Sequence, residues 1–256
     1  MATQVRFLAV DGFNLIRRIF EARRPIGFEE LRSVVDASKG SLRRAIERFS
    51  PSHATVVFEE HDRTWRHLLY RDYKADRSAT PHLLLNHLDL FAQAFSELGM
   101  TNCAVQNYEA DDIIGTIAKV VTEHGGEVLI LSTDKVYLQL ISDSVRVVDH
   151  FLDKIWLKPD VKRKYGVNVD QYVDYLALVG DRSNNIKGVP GIGPQSAKKL
   201  LVAHGDLECV LAASGDDKLV SKVQAAHDEA RRCKQLAALK TDVELGRNLK
   251  SFRLLQ

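Results

Sequence analysis

Short apolar runs alternate with longer amphipathic segments over the first part of the chain. Apolar runs of strand length predict buried β-strands at residues 5–10, 54–58, 103–105, 128–131 and 145–148. Segments with helical periodicity predict helices at residues 31–49, 82–98, 112–123 and 135–140. Because strands alternate with helices, we expect an α/β fold with a mostly parallel, twisted sheet that is covered on both faces.

The pattern changes near residue 168. From Val169 onward no strand-like run is visible, and helical patterns continue to Leu239. We therefore expect an α/β domain over residues 1–168 and a helical domain over residues 169–256. No internal repeat or low-complexity tract interrupts either part.

Composition bounds the class of protein. The chain has 256 residues, of which 45% are hydrophobic and 27% charged, as in ordinary globular proteins with a full core. Its net charge is only +2, so no overall basic field indicates a nucleic-acid binder. Basic residues nevertheless cluster at 63–77, 158–164 and 187–199, and such local charge is more informative than the sum.

The cysteines and the apolar segments bear on the compartment. Cys103, Cys209 and Cys233 are odd in number and form no CxxC pair, which argues against a disulfide framework or a zinc site and favours a reducing compartment. No segment has the pattern of a signal peptide or a membrane span. We therefore expect a cytoplasmic protein with no membrane partner.

Acidic residues recur at one structural place. They directly follow predicted strands or begin the next helix: Asp11, Glu59, Glu60, Glu109, Asp111, Asp112 and Asp134. Groups beyond the carboxyl ends of parallel strands converge on one crevice. Carboxylates packed together repel one another, and divalent cations relieve that repulsion. Oxygen ligands without His or Cys favour Mg²⁺ or Mn²⁺ over zinc, so the pattern predicts metal-dependent phosphodiester hydrolysis.

Each acidic residue taken alone has a plainer interpretation. Those at residues 109–112 are typical partners of a helix dipole, Asp134 is a candidate N-cap, and Asp11 precedes a glycine as turn residues do. Their joint occurrence at several separate connections favours the metal site. No Ser–His or Cys–His pair suggests a covalent route, and no Walker loop suggests a nucleotide.

A glycine hairpin lies in the helical part. Residues 188–201 read GVPGIGPQSAKKLL, two glycine turns that lead into a helix beginning at Pro194. The free amides near Gly193, Gln195 and Ser196 form an anion site, and two lysines follow one turn later. The segment predicts contact with a DNA phosphate backbone without base readout. The plainer alternative is a turn between two core helices.

Several motifs resemble those of the bacterial 5′-nuclease family, which includes the 5′-3′ exonuclease domain of DNA polymerase I and the phage flap endonucleases. In chain order they are Asp11–Leu15 (DGFNL), 57–60 (VFEE), Trp65-Arg66-His67 with 72–77 (DYKADR), 109–112 (EADD), 132–135 (STDK) and the hairpin at 188–201. The resemblance covers nearly the whole chain and is greatest to the short, free-standing flap endonucleases. It implies a PIN-like nuclease domain with an arch near residues 61–82 and a helix–three-turn–helix domain of the helix-hairpin-helix type. The implied activity is Mg²⁺-dependent cleavage of 5′ flaps in branched DNA by a monomer without a protein partner.

The resemblance also implies roles at matching positions. The implied catalytic residues are Asp11, Glu59, Lys74, Arg77, Asp112 and Asp134. The implied Mg²⁺ ligands are Asp11, Asp111, Asp112, Asp134 and Asp181. A K⁺ ion is expected on the backbone carbonyls of Leu178, Val179, Lys187, Val189 and Ile192. The implied DNA contacts are Gly191, Ile192, Gly193, Pro194, Gln195 and Ser196.

Alternatives stay open for the arch residues. Lys74 and Arg77 match residues expected to steer the 5′ strand, but a solvated charged face has the same sequence. Trp65 and Tyr73 are able to stack on an unpaired base, and they are equally suited to be buried aromatics of a helix.

Two departures from the family bear on a second metal site. Longer relatives have Asp-Lys-Asp where this chain has Val136 at the third position, and Gly-Asp-x-Ser-Asp-Asn-Ile where it has Asn184. Asp181 is retained, but two anionic ligands are lost. We expect one metal near Asp111 in the free protein and a second only with DNA. The alternative functions are a catalytically weak binder of DNA junctions and, disfavoured by the hairpin, an RNase of similar sheet architecture.

Overall fold

A six-stranded sheet forms the centre of the computed structural model, which describes residues 4–59 and 63–254. The strands are β1 (Arg6–Asp11), β2 (His53–Val57), β3 (Thr101–Cys103), β4 (Glu127–Leu131), β5 (Val145–Asp149) and β6 (Lys154–Trp156). They lie in the order β3-β2-β1-β4-β5-β6. All neighbours pair in parallel except β5 and β6, which are antiparallel. The predicted α/β class with a mostly parallel sheet is confirmed.

Helices surround the sheet, and the elements that follow β6 in the chain are helical. The helices up to β4 are α1 (Gly12–Arg23), α2 (Phe28–Phe49), α3 (Trp65–Leu69), α4 (His82–Leu85), α5 (Leu88–Ser96) and α6 (Ala110–Glu123). Those after β6 are α7 (Lys158–Tyr165), α8 (Tyr172–Val179), α9 (Pro194–His204), α10 (Leu207–Ala212), α11 (Lys218–Ala225) and α12 (His227–Ala237). Short 3₁₀ helices span Lys135–Leu140, Arg182–Asn184 and Leu249–Phe252. None of the helices in the described ranges is long and apolar enough to span a membrane.

Strand β3 begins two residues earlier than predicted, and helix α7 was not predicted. The elements differ from the sequence prediction in four further places. Helix α1 was not predicted because Asp11, the last residue of β1, also caps α1 through the Asn14 amide, so no turn separates strand and helix. The predicted helix 82–98 is broken at His87, whose φ of −134° is not helical. The predicted helix 135–140 is a 3₁₀ helix. Strand β6 was missed because three residues show no periodicity.

The two faces of the sheet bury different clusters. In β1, Leu8 and Val10 pack toward α1, α2 and α5, whereas Phe7 and Ala9 pack toward α6. All four are at most 1% exposed, as expected for a parallel strand covered on both sides. The cluster on the α6 side continues into the residues of α8, α9 and α12. The sheet and the C-terminal helices therefore share one core.

Candidate active site

A cavity of about 430 Å³ opens at the carboxyl ends of the central strands. Four carboxylates from four separate connections line it: Asp11, Glu59, Asp111 and Asp134. Asp76 and the cationic side chains Arg17, Lys74, Arg77 and Arg182 line it as well. The structure thus brings these predicted carboxylates to one place, as the direction of parallel strands requires. Glu60, which was considered with them, lies outside the described residues.

Asp11 is held from three sides at the end of β1. Its Oδ1 accepts from the Asn14 amide at 3.1 Å, and its Oδ2 accepts from the Ser132 and Tyr137 hydroxyls, each at 3.1 Å. Burial raises the pKa of Asp11 to about 7, and the charge of Asp134 adds to the rise while the Asn14 amide opposes it. The carboxyl group therefore retains its proton to near neutrality unless a cation balances its charge.

Tyr137 connects two of the carboxylates and was missed by the sequence analysis. Its hydroxyl donates to Asp11 and lies 3.5 Å from Asp111 Oδ1. Burial, followed by the charges of Asp11 and Asp111, raises the pKa of Tyr137 well above its usual value, so the hydroxyl remains a donor. Burial and Glu109 also raise the pKa of Asp111. The available signal was spacing, because Tyr137 follows Asp134 by one turn of a 3₁₀ helix.

Asp112, predicted to be a metal ligand and a catalytic residue, does not line this cavity. It is 0% exposed. Its Oδ1 accepts from Arg66 Nη2 and from the Lys240 amide, both at 2.8 Å. Its Oδ2 accepts from Arg66 Nη1 at 2.8 Å and from Trp65 Nε1 at 2.9 Å. These bonds fill the roughly four lone-pair positions of a carboxylate. Successive helical residues point about 100° apart, so Asp111 and Asp112 serve different sides of α6.

Arg66 is the centre of the network on that side. It is 1% exposed, and all its N–H groups donate. Nε donates to Leu236 O at 3.0 Å, and Nη2 donates to Ala238 O at 3.1 Å as well as to Asp112. Nη1 donates to Asp112 and to Glu109 Oε2, the latter at 2.9 Å. The sequence pattern indicated no role for Arg66, because its partners are distant in the chain.

Glu109 connects Arg66 to Lys74, which lines the cavity. Its Oε1 accepts from Lys74 Nζ at 2.6 Å, and its Oε2 also accepts from the Tyr73 hydroxyl at 3.1 Å. Burial alone would lower the pKa of Lys74, but the charges of Glu109 and Glu59 outweigh it and the pKa is raised. Tyr73 is 3% exposed, so the buried-aromatic interpretation holds and stacking on a base is excluded for it.

The arch residues Lys74 and Arg77 lie beside the carboxylates. The Lys74 side chain is 13% exposed, which excludes the solvated-face alternative for it. Arg77 Nε donates to Ser183 O at 3.0 Å, and Nη2 donates to Asn184 Oδ1 at 2.7 Å. The arch is thereby joined to the loop that follows α8.

Asp181 is not among the side chains that line the cavity. Its Oδ1 accepts from the Ser183 amide at 2.9 Å, and its Oδ2 accepts from Asn184 Nδ2 at 2.7 Å. Val136 is 8% exposed and belongs to the core. Within residues 4–59 and 63–254, no three His, Cys, Asp or Glu side chains stand so as to hold a metal ion by themselves. The structure thus does not bring Asp181 to the other predicted ligands.

The hairpin begins with a close crossing of two backbones. Gly180 and Gly188 have φ values of 84° and 72°, and a Cβ on Gly188 would lie 2.5 Å from Gly180 N and 2.8 Å from Leu178 O. A Cβ on Gly180 would lie 2.8 Å from Lys187 O. The carbonyls of Leu178 and Val189 each accept one backbone bond, from Val189 and Ile192. A carbonyl oxygen has two lone pairs, so each still has room for a cation.

The start of α9 presents free amides to solvent. Gly193 is its N-cap residue with no side-chain bond, and Pro194 occupies the first turn. Gly191, Gly193, Pro194 and Gln195 are exposed, whereas Ile192 is buried. A Cβ on Gly193 would meet nothing within 4 Å. The fold therefore does not require glycine at this position, which leaves room for an approaching ligand.

Comparison with known proteins agrees with this architecture. The family model described as "5′-3′ exonuclease, N-terminal resolvase-like domain" matches residues 6–166, and "5′-3′ exonuclease, C-terminal SAM fold" matches residues 167–256. The chain belongs to the 5′-3′ exonuclease family. It is 38% identical to the flap endonuclease Xni of Vibrio parahaemolyticus over 97% of this chain and 96% of the relative. It is 33% identical to that of Psychromonas ingrahamii over 96% of both chains.

Solved structures show the same fold. T5 5′-exonuclease with bound zinc has a TM-score of 0.79 at 21% identity, covering 92% of this chain and 90% of the other. A complex of the T5 D15 flap endonuclease with DNA and metal ions has a TM-score of 0.78 at 21% identity, with the same coverage. The predicted membership of the 5′-3′ exonuclease family, and within it the likeness to short flap endonucleases, is confirmed.

Proposed function

We propose that this protein is a divalent-metal-dependent phosphodiester hydrolase, a structure-selective endonuclease that cuts 5′ flaps in branched DNA. The observation that carries the proposal is the convergence of Asp11, Glu59, Asp111 and Asp134 on one cavity beside Lys74. Membership of a family whose members include flap endonucleases supports the choice of substrate.

The donor set of the cavity suits Mg²⁺ or Mn²⁺. Its ligands are carboxylate oxygens. Burial, followed by nearby like charge, raises the pKa of Asp11 and of Asp111, so a cation would stabilise their charged forms. Mg²⁺ keeps several of its waters, so few direct ligands suffice. Asp11, Glu59, Asp111 and Asp134 would hold the ion partly through its bound waters, because no three of the described acidic side chains stand so as to hold it by themselves. The ion would supply a water activated for attack on the phosphodiester. We infer one such ion in the free protein and a second that requires DNA phosphate.

The chain's own groups prepare this site. Ser132 and Tyr137 orient the Asp11 carboxylate through their hydroxyls. Glu109 holds the Lys74 ammonium at the cavity wall, where the raised pKa keeps it charged and able to stabilise phosphate charge. Arg77, anchored on Ser183 and Asn184, adds a second cation at the entrance.

The hairpin would hold the duplex part of the substrate. The proposed DNA contacts span Gly191 to Ser196, and the amides of Gly193, Gln195 and Ser196 within this range suit phosphate oxygens, which they can bind without reading bases. The close crossing at Gly180 and Gly188 supports a K⁺ site on the carbonyls of Leu178, Val179, Lys187, Val189 and Ile192. We propose that the protein acts as a monomer in the cytoplasm, where the DNA lies.

A cleavage assay tests the activity directly. Purified protein is incubated with end-labelled 5′-flap DNA, matched blunt duplex and single strand, each with Mg²⁺ or with EDTA. We expect cutting near the flap junction only with Mg²⁺, and much weaker cutting of the other two substrates. Tight flap binding without cutting would favour the junction-binding alternative. Equal cutting of all three DNAs would contradict structure selectivity.

The ion at the hairpin is tested by binding. Flap-DNA affinity is measured at constant ionic strength in K⁺ or in the larger Cs⁺, with EDTA present so that the carboxylate site is not involved. We expect tighter binding in K⁺. Equal affinity in the two salts would contradict a K⁺ site on these carbonyls.

A further inference from the structure

Three lysines surround one buried tryptophan at the edge of the sheet. Trp156, on β6, is 4% exposed. The Nζ atoms of Lys154, Lys135 and Lys164 lie 3.5, 4.9 and 5.1 Å from its ring centroid. These three lysines with Trp156 are called the lysine cluster below. Lys164 belongs to the basic run 158–164, to which the proposed activity gives no role.

The lysine cluster has more positive charge than its neighbours balance. Lys135 Nζ lies 3.7 Å from Asp149 Oδ2. Neither Lys154 nor Lys164 forms a salt bridge with any residue in the described ranges. The buried Nε1 of Trp156 finds no acceptor among those residues. Buried N–H groups normally have a partner, so the unpaired donor adds to the local excess of positive character, and the two ammonium groups without a carboxylate partner indicate a site for an anion.

The position of the lysine cluster relates it to both functional regions. Lys135 follows Asp134 in the chain, and its Nζ donates to Thr133 O at 2.8 Å. Lys154 pairs in register with Asp149, the last residue of β5. Because β5 is parallel to β4 and β1, the carboxyl end of β5 lies at the same end of the sheet as the cavity. Lys154 therefore lies at that end too.

On its other side the lysine cluster approaches the hairpin helix. Lys164 precedes Gly166 by two residues, and the Cδ of Lys198 lies 2.5 Å from the position of a Cβ on Gly166. Lys198 is in α9, about one turn after the exposed amides. The segment that carries Lys164 therefore contacts Lys198 of α9, and Lys135 of the same cluster is the residue after Asp134.

We propose that the lysine cluster binds a backbone phosphate of the DNA between the hairpin and the carboxylate cavity. This rests on the proposed function and adds a third contact to it. A strand held at the hairpin would pass the cluster before it reaches Asp134, so the contact would set how far the duplex lies from the scissile phosphate. Phosphate contacts of this kind position DNA and carry no sequence information.

The test removes two lysines that are not next to a carboxylate of the cavity. Lys154→Gln with Lys164→Gln is compared with the matched control Lys119→Gln with Lys250→Gln. Lys119 and Lys250 are exposed, and the net charge changes equally. Lys154→Arg with Lys164→Arg serves as the conservative variant. Melting temperatures establish that all variants fold.

We expect the Gln pair to weaken flap-DNA binding in EDTA and raise KM roughly tenfold, as loss of charged hydrogen bonds does, with kcat little changed. The slope of log affinity against log salt should fall by about one, since one phosphate contact is lost. The Arg pair should retain affinity. A control pair that weakens binding as much as the Gln pair would overturn the proposal, because the effect would then be general charge.

Two further outcomes separate this proposal from the proposed function. If the wild type binds flap DNA but never cuts it, and the Gln pair binds more weakly, the activity fails and the phosphate site stands. If the wild type cuts and the Gln pair binds normally, the phosphate site alone is wrong. Inorganic phosphate that binds the wild type at millimolar concentration, while DNA affinity of the Gln pair is unchanged, would show a small-anion site and refute the DNA contact.

Discussion

Asp111 and Asp112 are neighbours at the start of α6, yet they lie in opposite environments. Asp111 faces a cavity of carboxylates, and its pKa is raised by burial and by like charge. Asp112 faces Arg66, the Lys240 amide and Trp65, and its oxygens accept four hydrogen bonds. The first turn of one helix therefore separates a site under electrostatic repulsion from a neutralised structural anchor.

The two environments have opposite consequences for stability. On the Asp111 side each carboxylate repels the others, so that removing a charge relieves the folded state. On the Asp112 side, removing either partner leaves a buried charge without compensation. Of two neighbouring aspartates, one therefore lines the cavity proposed to bind a metal ion, and the other joins the arch to the end of α12 through Arg66.

The largest expected effects come from exchanging each aspartate for its amide. Asp111→Asn should lower the single-turnover cleavage rate by about 10²–10³-fold, the scale on which electrostatic stabilisation of a transition state is lost, while the protein remains at least as stable. Asp112→Asn should lower the free energy of unfolding by about 3–5 kcal/mol, as when a buried ion pair is broken. Each variant is the control for the other in urea denaturation and cleavage. If Asp111→Asn instead lost stability and Asp112→Asn lost only cleavage, the roles given to the two sides of α6 would be wrong.

The next prediction concerns the partner of Asp112. Arg66→Met and Asp112→Leu should each lower the free energy of unfolding. The double variant should lose less than the sum of the two single losses, with a coupling energy of about 1–3 kcal/mol. Chemical denaturation of the four proteins measures the cycle. Additive losses would contradict a direct Arg66–Asp112 anchor.

The cavity side should show a pH dependence that the anchor side lacks. The pKa of Asp11 is raised from 3.8 to about 7, so between these values the folded state binds more protons than the unfolded state. The stability of the metal-free protein should therefore fall as pH rises through this window. Mg²⁺ binds the deprotonated carboxylates, so its stabilising effect should be larger at about pH 8 than at about pH 6.

Thermal denaturation in Mg²⁺ and in EDTA at the two pH values measures this difference. Asp11→Asn should reduce it, whereas Asp216→Asn, an exposed change of the same charge, should leave it intact. An equal Mg²⁺ effect at both pH values would argue against protonated carboxylates in the metal-free cavity.

The smallest effect is expected at a third acidic location, the loop of Asp181. Asn184→Asp places a carboxylate between Arg77 and Asp181. It should lower the Mg²⁺ concentration for half-maximal cleavage by only about two- to threefold, the scale of a weak charge interaction, because Arg77 offsets most of the added charge. Adding Val136→Asp should lower it further but reduce stability, because residue 136 is 8% exposed and lies in the core. An unchanged Mg²⁺ requirement in both variants would exclude a metal near this loop.

The sequence determined much of the architecture because the relevant signals are local. Apolar runs located β1, β2, β4 and β5 to within a residue or two, and strand direction alone placed acidic residues at one edge. The hairpin was recognisable because glycine is required where two backbones touch, as at Gly188. The short strand β6 and the uninterrupted passage from β1 into α1 lacked such signals.

Only the tertiary structure decided how neighbouring charges are used. Asp112 is turned from the cavity by Arg66, 46 residues away in the chain, and by Lys240, 128 residues away. The Asp181 carboxylate accepts from the Ser183 amide within its own turn. The Tyr137 hydroxyl donates to Asp11, which lies 126 residues away in the chain. The ring of Trp156 is contacted by lysines from three different elements. The rotation of a helix about its axis, and the partner that meets each face, depend on packing between distant segments, and no local pattern encodes that packing.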